Sequence, residues 1–298
     1  MRIEQKATVA SMSVATVLVT LKMIIGVMSG SVAVLASAID SLLDLTVSAF
    51  NFFALGHAQK EPDDKFNFGR GKLEPLAAVV EGTIISMSAL FVLYQAIMKM
   101  VNKAPTQHLQ ESIVVMILSI IITGALVLFL NYIAKKTKNM VIRADALHYK
   151  TDLFSNGAVL LALGLISMTG IELIDPILGI GIAVYMFYSA LPIIKEGILM
   201  LLDISLEEEE VEKIKDLLDN EKEITTYHFL STRQAGSHIY ISVHLVFNVT
   251  VTLYDAHVVG DKIELKLKKL FPEYKVHSIV HLDPYDDSEI NELEDEYH

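Results

Sequence analysis

Two pairs of polar residues, each four positions apart, lie within strongly apolar stretches of the sequence. Asp40 and Asp44 fall in the run 36–47, and His148 and Asp152 fall in the run 143–152. Residues four apart on an α-helix share one face, about 6 Å apart along the axis. Two such helices placed face to face would gather three carboxylates and one imidazole. That set is enough to enclose a small divalent cation.

The donor types narrow the choice of cation. The sequence contains no cysteine, so thiolate metal sites, disulfides and cysteine nucleophiles are excluded. Three Asp and one His match a tetrahedral zinc-type site better than the all-oxygen octahedral sites of magnesium or calcium. Ferrous iron and cadmium stay open, because ligand type does not exclude them.

These charges would be costly in a membrane unless something compensated them. A charged Asp at the centre of a membrane helix costs about 2.5–3.5 kcal/mol on insertion scales. Three Asp and one His would sum to roughly 8–10 kcal/mol. The alternative to a metal site is a set of buried polar residues bonded between helices, which explains a single Asp more readily than two pairs on separate segments.

The elements that carry these pairs read as membrane spans. The chain of 298 residues is 52% hydrophobic, with a mean hydropathy of +0.46, which is typical of a membrane protein. Six segments approach the ~20 residues needed to cross a bilayer. They are 8–28, 32–55, 75–99, 112–134, 144–168 and 174–200. We therefore predict an α-helical membrane domain with six transmembrane helices over residues 1–204.

The distribution of basic residues predicts how this domain is oriented. Lys and Arg lie before the first span, between the second and third, and between the fourth and fifth, whereas the alternate loops hold few. By the positive-inside rule both termini are cytoplasmic. The net charge of −12 disfavours nucleic acid as a partner. The expected contacts of the helical domain are with membrane lipid rather than with nucleic acid.

Residues 205–285 read as a small soluble domain. Ser205-Leu-Glu-Glu208 fits a capping box at the start of a helix that runs to about residue 218. Strands are predicted over 224–233, 238–247 and 275–282, with a second helix over 253–270. The order α-β-β-α-β indicates a ferredoxin-like α+β domain on the cytoplasmic side. The remaining residues, 286–298, are acidic and predicted to be disordered.

Three stretches carry a resemblance to a known family. They are Gly30–Asp44, Phe68-Gly-Arg-Gly-Lys-Leu-Glu74 and Arg143–Asp152, and the sequence resembles the cation diffusion facilitator family over nearly its whole length. Within that family it is similar to the bacterial zinc and ferrous-iron efflux transporters of the inner membrane. The resemblance implies a homodimer of six-span protomers with a metallochaperone-like cytoplasmic domain, exchanging a divalent cation for protons by alternating access.

The resemblance also assigns residues. Asp40, Asp44, His148 and Asp152 match the family's transport site, in the variant linked to zinc and cadmium rather than manganese. Lys72 and Asp203 match an interlocking charge cluster at the dimer interface. A two-metal site that bridges the cytoplasmic domains, with zinc in a structural or regulatory role, is implied at five positions: His228, His244, His257, His281 and Asp283.

The loop 56–72 departs from the family pattern. Close relatives build an additional metal site there from one Asp and two His. This sequence keeps Asp63, but Phe66 and Arg70 occupy the two His positions. Because an arginine has no lone pair to offer a cation, we expect no loop site of the usual kind and at most a weak metal contact at Asp63.

The leading interpretation is a proton-coupled exporter of divalent cations, most readily zinc. Metal binding needs deprotonated ligands, and His148 is the ligand that titrates nearest neutral pH. A ferrous-iron, cadmium or manganese exporter of the same family is the alternative. An enzyme is not expected, because the sequence has no His-Glu-x-x-His helix and no activated nucleophile. A membrane metal sensor would use the soluble histidines and leave the intramembrane acids unexplained.

Overall fold

Six long helices follow one another where the sequence alternates apolar runs with short polar links. The computed structural model describes residues 3–29, 32–102, 110–171 and 173–289. The helices are α1 (Ile3–Ser29), α2 (Val32–Ala58), α3 (Leu73–Asn102), α4 (Gln110–Thr137), α5 (Met140–Thr169) and α6 (Ile174–Leu201). Each contains one predicted segment, and all six are longer than predicted because the helix continues past the apolar run.

The helical unit has the surface expected of a membrane domain. Within the described residues, four helices are long and apolar enough to cross a membrane: α1, α3, α4 and α6. Large apolar side chains such as Leu128 and Met168 are 75% and 84% exposed. An apolar surface of this kind is favourable in lipid and unfavourable in water.

Close packing between α3 and α6 depends on two glycines. A Cβ added to Gly82 would lie 2.8 Å from the Ile194 side chain, and one added to Gly197 would lie 2.6 Å from the Val79 side chain. Because real Cβ contacts are longer than this, each glycine permits an approach that a side chain would prevent. α3 and α4 also pack against α5, and α1 packs against α2 and α4.

The chain divides into two compact units, 1–198 and 199–298. The second contains α7 (Glu208–Asp219), β1 (Thr226–Ala235), β2 (His238–Val246), α8 (Leu253–Leu270) and β3 (Lys275–Asp283). The sheet order is β1-β2-β3, with β1 antiparallel and β3 parallel to β2. Gly236, at φ 61°, closes the β1–β2 hairpin in the left-handed conformation that glycine tolerates.

The alternation of β2 separates a core face from a polar face. Ile239, Ile241, Val243 and Leu245 are at most 1% exposed and form a core with α7 and α8. His244 points away from that core, because successive strand residues face opposite sides. It pairs with His228 on β1 and with His281 on β3. The sheet register thus sets three histidines side by side.

Two local predictions for this unit are wrong. The helix α7 begins at Glu208 with Glu207 as its N-cap, and no side chain caps it. Ser205 does not form a capping box, because its hydroxyl lies 2.8 Å from the hydroxyl of Thr232 on β1. Strand β1 ends two residues later than predicted, because the tight hairpin pairs Ala235 directly with His238.

Candidate metal centre

Helices α2 and α5 bring three of the predicted ligands together. His148 Nε2 lies 3.2 Å from Asp44 Oδ1 and 3.8 Å from Asp152 Oδ2. Asp44, His148 and Asp152 each offer one ligand atom, and these atoms lie within 4.8 Å of one another. His148 is 8% exposed. The fourth predicted ligand, Asp40, has a side chain outside the described part of the structure.

Buried hydrogen bonds fix the position and rotation of α5. Asn139 caps the helix by accepting the Ile142 amide at 3.2 Å, and its own amide donates to Glu74 of α3 at 3.0 Å. Tyr149 is 1% exposed, and its hydroxyl lies 2.8 Å from that of Ser48 on α2. These contacts hold the His148 face of α5 toward α2.

A cavity of about 770 Å³ opens onto the cluster. Asp44, His148 and Asp152 line it, and so do Lys99 and Asp175. Lys99 lies in the last turn of α3 and Asp175 in the first turn of α6, and their charged atoms are 2.6 Å apart. The cavity is large enough for a cation with its water shell.

Two further carboxylates, not predicted as site residues, lie beside this cluster. Glu81 on α3 and Asp145 on α5 are both 0% exposed. Asn51 Nδ2 donates to Glu81 at 2.9 Å, and Ser11 Oγ donates to Asp145 at 2.5 Å. Glu81 interrupts an apolar segment, and this is the feature of the sequence that could have marked it as a candidate site residue. The residues around it in the sequence do not indicate that it is buried next to Asp145.

A second cluster lies on the polar face of the small sheet. His228, His244, Asp283 and Asp287 offer ligand atoms within 4.8 Å of one another. Asp283 Oδ2 lies 3.0 Å from His244 Nδ1 and 3.4 Å from His228 Nε2. Both ring nitrogens of His228 are buried without a hydrogen bond in the described structure. A buried imidazole surrounded by carboxylates fits a metal ligand, and the His and Asp donors suit zinc.

The other two predicted cytoplasmic ligands differ in placement. His281 Nδ1 lies 3.0 Å from His244 Nδ1 and 3.2 Å from Asp283 Oδ1, at the exposed rim of the cluster. His257 projects from α8, where its side chain is 69% exposed and lies 3.7 Å from Asp261. Within one protomer, therefore, the fold gathers four of the five predicted residues and leaves His257 apart.

Asp287 is a member of this cluster that the sequence did not reveal. Its Oδ1 lies 3.1 Å from His228 Nε2, and Asp286 Oδ1 lies 3.4 Å from His228 Nδ1. Both residues belong to the segment 286–298 that was predicted to be a disordered tail, of which residues 290–298 lie outside the described structure. Hydrogen bonds from Ser288 hold the pKa of Asp286 below its ordinary value.

In the loop 56–72, Arg70 lies next to Asp63. Arg70 forms an ion pair with Asp63 at 2.5 Å and lies 4.1 Å from the centre of the Phe66 ring. The other oxygen of Asp63 accepts the backbone N–H groups of Lys65 and Phe66. The Arg70 hydrogen bond, followed by that from Phe66, lowers the pKa of Asp63.

The two residues assigned to the dimer interlock lie in different units of the chain. Lys72 directly precedes α3. Asp203 has φ 58° and accepts a hydrogen bond from Arg233 at 2.8 Å within the C-terminal unit. Their role at a dimer interface stays a prediction.

Comparison with known proteins gives the same family for both units. The family described as the cation efflux transmembrane domain matches residues 8–202, and the cytoplasmic domain of cation efflux proteins matches residues 206–285. The cation-efflux pumps FieF of Escherichia coli (strain SMS-3-5) and Shigella flexneri are each 36% identical over 283 residues, covering 95% of this chain and 93% of the relative.

Two solved structures of CzrB, described as a zinc transporter, match a smaller part of the chain. The first is 30% identical, covers 27% of this chain and 99% of its own, and superposes with a TM-score of 0.26. The second, a zinc form, is 28% identical over 27% of this chain and 90% of its own, with a TM-score of 0.24.

Proposed function

We propose a transport function from one premise: this chain belongs to the cation efflux family, the cation diffusion facilitators. Members of that family are integral membrane transporters of metal cations rather than enzymes. On this basis we propose that the chain exports a divalent cation, zinc in preference to others, in exchange for protons. The transported ion would bind at Asp40, Asp44, His148 and Asp152.

The observation that carries the proposal is the grouping of Asp44, His148 and Asp152 at the wall of a cavity in the helical unit. Two carboxylates and one imidazole within 4.8 Å are a zinc-type donor set. Asp40 precedes Asp44 by one helical turn on α2, and on that spacing we propose it as the fourth ligand. A cation also compensates the charges that these residues bring into a membrane.

Proton coupling follows from the same ligands. His148 must be neutral to bind a metal, and its Nε2 faces both Asp44 and Asp152. When protons reach the site, a protonated imidazole forms ion pairs with these carboxylates and displaces the metal. When a metal binds from the cytoplasm, the imidazole loses its proton. Alternation between the two states exchanges protons for metal across the membrane.

The proposal extends to the architecture around the site. We propose that all six helices cross the bacterial inner membrane, that both termini are cytoplasmic, and that residues 1–204 and 205–285 form the transport and cytoplasmic domains. The chain would act as a homodimer in which Lys72 and Asp203 interlock. A structural or regulatory zinc would be bound on the cytoplasmic sheet by four residues: His228, His244, Asp283 and Asp287. His281 lies at the rim of this cluster. His257 would be available to a metal site between the cytoplasmic domains of the two protomers.

Metal uptake by sealed vesicles containing the purified chain tests this function. Stopped-flow fluorescence of an enclosed metal indicator should show fast entry of zinc and cadmium and slow entry of manganese, each relative to protein-free vesicles. Fast entry of ferrous iron in preference to zinc would assign the alternative metal. Vesicles that take up none of the four cations faster than protein-free vesicles would contradict the proposal and favour a sensor.

A further inference from the structure

Glu81 and Asp145 form a buried acidic pair that metal binding alone does not explain. They lie on α3 and α5, which pack against each other, and neither carboxylate is exposed. Glu81 is hydrogen-bonded to Asn51 of α2 rather than to one of the three gathered metal ligands. Asn51 is itself fully buried.

The hydrogen bonds around this pair leave several buried acceptor oxygens without a donor. Asn51 and Ser11 supply one hydrogen bond each, to Glu81 Oε2 and to Asp145 Oδ2. Three buried oxygens remain without a partner in the described structure: Asn51 Oδ1, Glu81 Oε1 and Asp145 Oδ1. Unpaired buried acceptors are costly. A proton on one carboxyl group would turn one of these acceptors into a donor.

The acidic groups near Glu81 favour the same protonation, whereas His148 opposes it when the imidazole is charged. The ionisable groups that act on it come from α5, and they are Asp145, His148 and Asp152. Asn51 of α2 and Ser11 of α1 are neutral, and α6 presents the apolar Ile194 to the adjacent Gly82. Two neighbouring buried carboxylates repel each other when both are ionised, so one bound proton relieves the repulsion.

We propose that Glu81, supported by Asn51 and Asp145, is a proton-binding site separate from the metal ligands, and that it releases its proton when a divalent cation binds at Asp44, His148 and Asp152. The inference rests on the proposed transport function. When the proton is released, the O–H bond of the Glu81 carboxyl group breaks, the electron pair stays on the carboxylate, and water accepts the proton. The cavity reaches Ile84 and Ile85, within about one helical turn of Glu81, and water that enters it would be the acceptor.

Coupling between the two sites is electrostatic. The positive charge of the metal stabilises a carboxylate nearby, which favours the ionised form of Glu81. When the metal leaves, that stabilisation is lost and the proton returns. A proton held at Glu81 would therefore be exchanged once per transport cycle, in addition to any proton carried by His148.

Counting the protons released by zinc tests the inference. The purified full-length chain in weakly buffered detergent would be titrated with zinc at neutral pH in the presence of a pH indicator. Glu81→Gln should bind zinc but release about one proton fewer per protomer than the wild type, because the amide cannot ionise. Glu196→Gln is the control, since Glu196 is an acid of α6 that pairs with Arg143 and belongs to neither site, and it should release the wild-type number.

An unchanged proton count in Glu81→Gln would overturn the inference, and so would loss of zinc binding, which would make Glu81 part of the metal site. Infrared difference spectra of the wild type decide the matter if the variant does not fold. Zinc should remove a carbonyl band of a protonated carboxylic acid, and no such loss would also overturn it. A wild type that binds no zinc would instead contradict the proposed function.

Discussion

Removing the charge of Asp152 tests whether the cluster on α2 and α5 binds metal. Asp152 Oδ2 lies 3.8 Å from His148 Nε2, and its side chain is 32% exposed toward the cavity. Asp152→Asn keeps the volume of the side chain but replaces an anionic ligand by an amide. The helix α5 and its buried contacts through Tyr149 should therefore be preserved.

The expected loss of affinity is large. Removing a group that only supports a metal ligand costs about 10–100-fold in affinity, so removing a ligand should cost more than ~100-fold. That factor corresponds to more than about 2.7 kcal/mol of binding free energy. The cytoplasmic cluster should keep its own zinc affinity in the same protein, because none of its residues has changed.

Competition for zinc between the purified protein and a chelating dye measures this effect. Asp175→Asn is the matched control, because Asp175 lines the same cavity but pairs with Lys99 instead of His148. It should keep the affinity of the transport site within a few fold. Zinc affinity of Asp152→Asn within threefold of the wild type at every site would refute the assignment of Asp152 as a ligand.

Three further predictions concern metal choice, the loop and the cytoplasmic domain. His148→Asp should admit manganese and move the pH midpoint of metal binding toward acid, because a carboxylate holds a proton less tightly than an imidazole does. Titrations with zinc and manganese between about pH 5.5 and 8 test this prediction. An unchanged midpoint together with unchanged selectivity would exclude His148 as a ligand. Because Arg70 lowers the pKa of Asp63, their ion pair should stabilise the loop at neutral pH and should be lost only as the pH falls through that lowered pKa. Arg70→Gln should raise the pKa of Asp63, which NMR of the carboxyl group measures. An unchanged titration of Asp63 in this variant would contradict the pairing. Thr252 caps α8, because its hydroxyl oxygen accepts a hydrogen bond from the Asp255 amide at 3.1 Å. Thr252→Ala should therefore lower the free energy of unfolding of the cytoplasmic domain by about 0.5–2 kcal/mol, as measured by urea denaturation. The control Thr250→Ala should keep a free energy of unfolding near that of the wild type.

Features set by neighbouring residues could be predicted from the sequence. Helix α8 spans the predicted residues, Leu253–Leu270, and Pro272 lies just beyond its end. The grouping of His148 with Asp152 follows from helical spacing, and the core of β2 follows from strand alternation. In each case the physical cause lies within a few residues along the chain.

Features that depend on tertiary contacts could not be predicted in this way. Asp287 lies 3.1 Å from His228 Nε2, although the two residues are far apart along the chain. The burial of Glu81 depends on how α3 packs against α2 and α5, and its own segment does not show it. Ser205 had the pattern of a helix cap, but Thr232, 27 residues away, provides a competing partner. A tertiary contact can replace the local hydrogen bond that a sequence pattern predicts when both would satisfy the same polar group.

Simultaneous measurement of zinc and proton movement tests the central claim most directly. Vesicles containing the full chain would enclose a zinc indicator and a pH indicator, and zinc would be added outside. The wild type should take up zinc while protons leave, and Asp44→Ala should do neither at a rate above protein-free vesicles. Zinc uptake by Asp44→Ala at the wild-type rate, or zinc uptake by the wild type without proton movement, would contradict proton-coupled transport through this site.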